Sequence, residues 1–159
     1  MRRRDREVTD FKEIVGIIDK CEVIRLGFVD DGKAYIVPLN FAYEEDGGQV
    51  TIVFHSALEG RKIDIMKENP CVCFEMDCPL GIARAETACE WSAEYESVIG
   101  YGDVRFIEND GEKKAAMDLI MKRYGYVGTP EYLPSVVSRT ALYRLSVSEL
   151  AGKRNFQQV

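Results

Sequence analysis

Residues 55–62, His55-Ser56-Ala57-Leu58-Glu59-Gly60-Arg61-Lys62, gather the side chains of this chain best suited to holding an anion. An alternating apolar run, Val50 to Phe54, precedes them and reads as a strand, and a helical pattern follows that ends before Pro70. Ser56 and Glu59 have the spacing of a capping box, in which the serine oxygen accepts from an orphan first-turn amide and the glutamate reaches back. That spacing predicts a helix start at Ala57. A helix start offers free N–H groups and the positive end of the helix dipole, a seat suited to phosphate. Gly60 would let an anion approach the backbone, and Arg61 and Lys62 would add two cationic donors. Basic residues in a first turn oppose the dipole, so their placement is mildly costly unless an anion sits there. The ordinary alternatives are a solvated helix face for Arg61-Lys62 and a loop-bonding strand end for His55, the only histidine in the chain. The turn is expected to hold the phosphate of a nucleotide-like cofactor.

The elements that must position this turn follow from periodicity. Phe11, Ile14, Val15 and Ile18 have helical spacing behind Asp10, a plausible N-cap with Glu13 three residues on. Ile24, Leu26 and Phe28 alternate up to Asp30-Asp31-Gly32, a hairpin signal. The return strand is read as one long run, with Tyr35, Val37, Leu39, Phe41 and Tyr43 on a single face. Pro38 places it at an edge or a bulge, where backbone groups are free to bond something other than a strand. After the turn at Glu45 to Gly48 and the strand into His55, a helix over 57–68 is expected, with apolar positions 58, 63, 65 and 66 and a stop at Asn69-Pro70. A strand from Cys71 to Met76 follows, then an irregular stretch, 77–90, read as a long loop or a wandering strand.

Ser92 to Ile107 returns to strand pattern, with Gly100-Tyr101-Gly102 marking a bend or a close approach of another backbone or a flat ligand. Asn109 and Glu112 open a helix with Ala116, Met117, Ile120, Met121 and Tyr124 as its apolar face, and Gly125 ends it. Pro130 and Pro134 bracket a short irregular or helical piece, Ala141 to Val147 reads as a last strand, and Gly152 to Val159 is expected to bury little. Short strands with hairpin signals and no strand-helix-strand repeat argue for an antiparallel sheet curled into a barrel, with helices packed outside. Neither a P-loop nor a Gly-x-Gly-x-x-Gly turn is present, so the phosphate seat belongs to another architecture.

Composition narrows the classes further. A chain of 159 residues with 46% hydrophobic and 30% charged residues is read as one domain, 1–159, with a core of its own. A net charge of −6 argues against a nucleic-acid footprint, and Arg2-Arg3-Arg4 reads as a solvated terminus. No run approaches the ~20 apolar residues of a membrane span. Acidic residues stand where a signal peptide would be apolar, so a cytoplasmic protein is expected. Five cysteines, an odd number, fit reduced thiols. With one histidine and no paired Cys-x-x-Cys, no metal site is expected.

Several segments together resemble a known family. Arg3-Arg4-Asp5-Arg6-Glu7, Tyr35-Ile36-Val37-Pro38-Leu39-Asn40-Phe41, Phe54-His55-Ser56-Ala57 with Gly60-Arg61-Lys62, Cys73-Phe74-Glu75 and Ser97-Val98-Ile99-Gly100-Tyr101-Gly102 are similar to the flavin-binding split barrels related to pyridoxamine 5'-phosphate oxidase. Within these the resemblance is to the 5-nitroimidazole resistance (Nim) branch. It implies a mainly β fold with flanking helices, a six-stranded antiparallel split β-barrel, with FMN held noncovalently and a homodimer carrying two flavin sites at its interface. On that resemblance Ser56, Arg61 and Lys62 would hold the phosphate, with Ala57 and Gly60 in the same turn. Val37, Pro38, Leu39 and Asn40 would run along the isoalloxazine edge, and His55 would stand near the ring. Trp91 and Tyr101 are further cofactor candidates, contributed across the dimer, although core or interface burial suits both equally.

The resemblance further implies an FMN-dependent oxidoreductase that reduces a small electron-poor substrate, such as a 5-nitroimidazole, with electrons from an unidentified donor. Flavin performs hydride and electron transfer itself, so the protein has to bind, orient and tune it. His55, with an unperturbed pKa of roughly 6.5, is the candidate proton donor. A flavin-binding or redox-sensing protein without dedicated substrate, and a haem-binding split barrel, are the alternatives. Pyridoxamine phosphate oxidation itself is disfavoured, because that branch carries an additional basic C-terminal segment and this chain ends with only Lys153-Arg154.

Overall fold

A computed structural model describes residues 3–156; Arg2 of the basic run and residues 157–159 of the expected tail lie outside the described residues. Eight strands make one antiparallel sheet: β1 (Glu7–Val8), β2 (Ile24–Asp30), β3 (Lys33–Leu39), β4 (Phe41–Asp46), β5 (Gln49–Ala57), β6 (Cys71–Ala83), β7 (Ser92–Phe106) and β8 (Thr140–Asn155). Among the described residues four α-helices accompany them: α1 (Phe11–Lys20), α2 (Arg61–Glu68), α3 (Asp110–Arg123) and the single turn α4 (Pro134–Val137). No described helix is long and apolar enough to cross a membrane.

The order along the sheet is β3-β2-β6-β7-β8-β5-β4, with β1 added beside β8. The expected single strand over 35–43 is therefore two strands at opposite ends of the hydrogen-bonded path, joined by Asn40 alone. Laid flat, seven strands would separate those ends by about 29 Å, while two Cα–Cα steps reach about 7 Å. The sheet must curl until its two edges meet at Asn40, and that meeting line is the seam of a split barrel. Pro38 sits in β3, an edge strand, where its missing N–H leaves no inner ladder bond unmade.

Inside the curl, Ile24, Leu26, Phe28, Phe41, Ile52, Phe54, Phe74, Met76 and Leu145 form the main core. Helix α1 adds Ile14, Ile17 and Ile18 to it, and α2 adds Ile63, Ile65 and Met66. A second core lies on the other sheet face, where Ala116 and Ile120 of α3 meet Ala42, Val53 and Leu142. Both longer helices have the caps their sequences promised: the Asp10 carboxylate accepts from Glu13 N–H, and the Asn109 side chain accepts from Glu112 N–H.

Further expectations meet the structure here. The capping box at Ser56 and Glu59 does not form: β5 continues through Ala57, and α2 begins at Arg61 behind Gly60. Leu58, placed on the buried face of that helix by its spacing, lies outside the helix and is 46% exposed. The stretch 77–90 divides between its two readings: β6 runs on to Ala83 with an irregularity between Pro79 and Gly81, and 84–90 is loop with one short turn. The segment from Gly152 buries more than expected, because β8 extends to Asn155, packs Gly152 beneath Val8 and Ile14, and closes over Glu96. The strand count is eight rather than six, β1 and the division at Asn40 each adding one to the expected tally.

Gly100 and Gly102 are required by close approach within the sheet itself. A Cβ at Gly102 would lie 2.2 Å from Ser146 O, and one at Gly100 would lie 2.4 Å from Phe74 Cζ. The pairing of β7 with β8 also shifts register between Tyr101 and Gly102.

Candidate functional site

The site assembles where β5 ends, α2 begins and the seam opens. Along β5, Ile52 and Phe54 point into the barrel and Val53 points to α3, so the alternation puts His55 on the α3 face and Ser56 on the inner face. The Ser56 hydroxyl donates to the Ala57 carbonyl at 2.7 Å and lies beside the Tyr143 phenol. It therefore caps no helix. Phe41 pairs with Phe54, and continuing that register by one step sets Asn40 across from His55. The resemblance-derived edge 37–40 and the turn after His55 are in this way brought to one corner.

Gly60 is the N-cap of α2, at φ 136° and ψ 160°, with open space where a Cβ would stand. Its carbonyl accepts from Ile63 N–H at 2.8 Å, while the amides of Arg61 and Lys62 have no intrahelical acceptor. Arg61 does not extend freely into solvent. Its Nε donates to the Asp30 carboxylate at the end of β2, and its guanidinium lies over the Tyr35 ring of β3, 4.5 Å from the centroid. With one edge held by Asp30 and one face by Tyr35, the two Nη groups remain as donors in a fixed orientation. Lys62, half-buried beside it, takes part in no ion pair among the described residues.

His55 stands at the surface, yet the protein beneath it desolvates the imidazole and lowers its pKa from the usual value. Burial raises the pKa of the Tyr143 phenol, opposed by its hydrogen bond with Ser56. Tyr143 stacks on Phe54 with ring centroids 5.2 Å apart and meets Phe106 edge-on at 5.5 Å, which fixes the floor under the Ser56 end of β5. A concavity of about 480 Å³ runs along α2, walled by Leu58, Ile63 and Tyr143, while a larger one, about 920 Å³, lies at the far end of β8 beside Trp91 and Asn155.

Two candidates are not brought here. Leu142 of β8 pairs with His55, whereas Asn155, at the far end of β8, pairs with Tyr95, close to Trp91. Thirteen strand residues at about 3.3 Å each separate these ends by about 43 Å. Trp91 is 51% exposed, with its indole N–H donated to Ala85 O at 3.0 Å. Tyr101 lies on the outer face of the sheet between Cys73 and Glu149, its phenol pKa raised first by Cys73. Asp30 and Tyr35 are the residues sequence reasoning missed. Asp30 reads as hairpin punctuation, and its role depends on a partner 31 positions away that no local pattern announces. Among the described residues, no group of three or more His, Cys, Asp or Glu side chains could hold a metal ion.

The model of the pyridoxamine 5'-phosphate oxidase family matches residues 10–154, nearly the whole of this fold. The chain belongs to that family. Within it, the likeness is to the 5-nitroimidazole resistance branch: a candidate 5-nitroimidazole antibiotic resistance protein from Bacteroides thetaiotaomicron is 32% identical, with 93% of this chain and 86% of that one covered and a TM-score of 0.80. The flavocytochrome Anf3 from Azotobacter vinelandii shares the fold at 18% identity, 98% and 72% coverage and a TM-score of 0.81. A FAD and heme binding protein from Mycobacterium smegmatis shares it at 16% identity, 94% and 73% coverage and a TM-score of 0.77. No curated protein matches the chain.

Proposed function

We propose that this protein binds FMN at the α2 corner and serves as an FMN-dependent reductase of a small electron-poor molecule, with nitroaromatics such as 5-nitroimidazoles as the substrate class. The observation that carries the reading is the anion seat at the start of α2. Two amides without an intrahelical acceptor, the Nη donors of Arg61 and the side chain of Lys62 all belong to one turn, and the protein's own acid, Asp30, bonds the Nε edge of the guanidinium. This donor set fits a dianionic phosphate.

Bound flavin supplies the hydride and electron transfer. The chain's residues do the rest. Arg61, Lys62 and the first-turn amides fix the phosphate, Val37 to Asn40 offer backbone along the edge of the ring, and His55 holds a proton within the same corner. A homodimer completes the reading, since the corner is open in one chain and Trp91 and Tyr101 could reach a flavin only from a second copy. Haem is the competing occupant, and His55 is its only possible imidazole ligand.

The test is spectral and then kinetic. Purified protein should be yellow with the absorption of oxidised flavin, and after anaerobic reduction a 5-nitroimidazole should reoxidise it. A Soret band after haem addition with no flavin retained would transfer the site to haem. Tight flavin binding with no reoxidation by any nitro compound would leave a flavin carrier or sensor.

A further inference from the structure

Tyr124 closes the seam beside Asn40 with a single atom. Its hydroxyl accepts from the Phe41 N–H at 3.1 Å and donates to the Glu22 carbonyl at 2.6 Å. Phe41 opens β4, which among the described strands pairs only with β5, so that an N–H on its open side has no ladder partner there. Glu22 lies in the link between α1 and β2, on the opposite side of the seam. One phenol oxygen thus spans both lips of the barrel at the residue next to Asn40. The neighbouring Arg123 braces the same point: its guanidinium lies 4.3 Å from the centroid of the Phe41 ring and donates to Ile18 O at 2.8 Å and Cys21 O at 2.6 Å, the carbonyls that end α1.

A tie that only stabilised the barrel could attach anywhere along the β4 edge. This one attaches at the residue adjoining Asn40, which the continued β4–β5 register sets opposite His55. We infer that Tyr124 is a positioning residue of the cofactor pocket, holding the Asn40 backbone at the height of the flavin edge by bridging Phe41 N–H and Glu22 O. The inference rests on the cofactor reading above and adds to it a residue remote in sequence, the C-cap of α3, that sets the geometry of the ring site. Arg61 latches the α2 side of the same corner to Asp30 and Tyr35, so the two lips are held by two independent ties.

The experiment compares Tyr124→Phe with Tyr132→Phe in the full chain. The second variant also removes a tyrosine hydroxyl tied to α3, bonded to Asp118 at 2.9 Å, away from the seam. Tyr124→Phe is expected to weaken FMN binding about tenfold, the worth of one lost hydrogen bond, and to shift the visible absorption of bound flavin. Tyr132→Phe should change neither. In the unaltered protein the Phe41 amide should be protected from hydrogen exchange with and without FMN. If Tyr124→Phe binds FMN with unchanged affinity and spectrum, or if the Phe41 amide of the unaltered flavin-bound protein exchanges freely, the positioning role is overturned. An unaltered protein that binds no flavin overturns the cofactor reading first, and the inference with it.

Discussion

Replacing Arg61 with alanine separates a binding role from a structural one, because the first is read in cofactor affinity and the second in thermal stability. The side chains of Arg61 and Asp30 are 56% and 29% exposed, which places their ion pair among surface pairs worth up to about 1 kcal/mol. The stacking on Tyr35 adds about 0.5–1 kcal/mol. Loss of both should lower Tm by no more than about 8 °C in a chain of this size. The proposed contact with phosphate would be a charge-assisted pair worth about 2 kcal/mol, so its loss would give roughly a thirtyfold rise in the FMN dissociation constant. Flavin fluorescence titration of the apoprotein, at low and moderate salt, reads that number directly. Asp30→Ala adds a second coordinate: if Asp30 orients the guanidinium, its loss should cost about fivefold in affinity, near 1 kcal/mol, and nothing further once Arg61 is absent. Unchanged affinity in Arg61→Ala would refute the phosphate assignment. Tighter binding in Asp30→Ala would show that Asp30 competes with the ligand instead of presenting Arg61 to it.

Other outcomes follow from single groups. Burial acts to raise the pKa of Glu96, but hydrogen bonds from Lys20 and Arg154 outweigh it and leave the pKa lowered, so this carboxylate stabilises the fold above the ordinary glutamate range and loses that contribution as pH falls through its lowered folded value. Glu96→Gln should cost about 2 kcal/mol at pH 7, and the gap to the unaltered protein should close in strong acid, as read by denaturant titration. Gly102→Ala drives a methyl into the Ser146 carbonyl and should destabilise by about 3 kcal/mol without changing the flavin spectrum of the protein that folds. The desolvated His55 is neutral at pH 7; if it gives the proton, nitro-dependent reoxidation should accelerate as pH drops below about 6.5, and His55→Ala should abolish that limb while retaining FMN. Because the folded state binds this proton less readily than the unfolded chain, the same histidine also withdraws stability as pH falls through that range.

What was legible in the sequence is what short-range pattern controls. Asp10 and Asn109 announced their helices because a cap and its acceptor lie three residues apart. Asp30-Asp31-Gly32 announced its hairpin because Asp31 and Gly32 must take positive φ. Ser56-x-x-Glu59 met the same local rule and failed it, since continued pairing of His55, Ser56 and Ala57 with Leu142, Ala141 and Thr140 of β8 outbid a cap. The helix instead starts four residues later, so that Gly60 becomes the N-cap and Arg61 and Lys62 open the first turn. The division of 35–43 at Asn40 was hidden for another reason. Tyr35, Val37, Leu39, Phe41 and Tyr43 keep an unbroken alternation, and only the closure of the whole sheet assigns the two halves to different neighbours. Asp30, Tyr124 and Arg123 act through partners 31 to 105 positions away, beyond any window in which periodicity is visible.

The longest strand is also the last to be made. Thr140–Asn155 supplies the neighbour for β1, β5 and β7, all of which leave the ribosome earlier. Until Thr140 emerges, the hairpins β2–β3 and β4–β5 can form locally, but nothing joins the two halves of the sheet, and three strand edges stay open to wrong partners. Nascent chains arrested before residue 140 should therefore remain protease-sensitive, and protection should arrive in one step once β8 has cleared the exit tunnel.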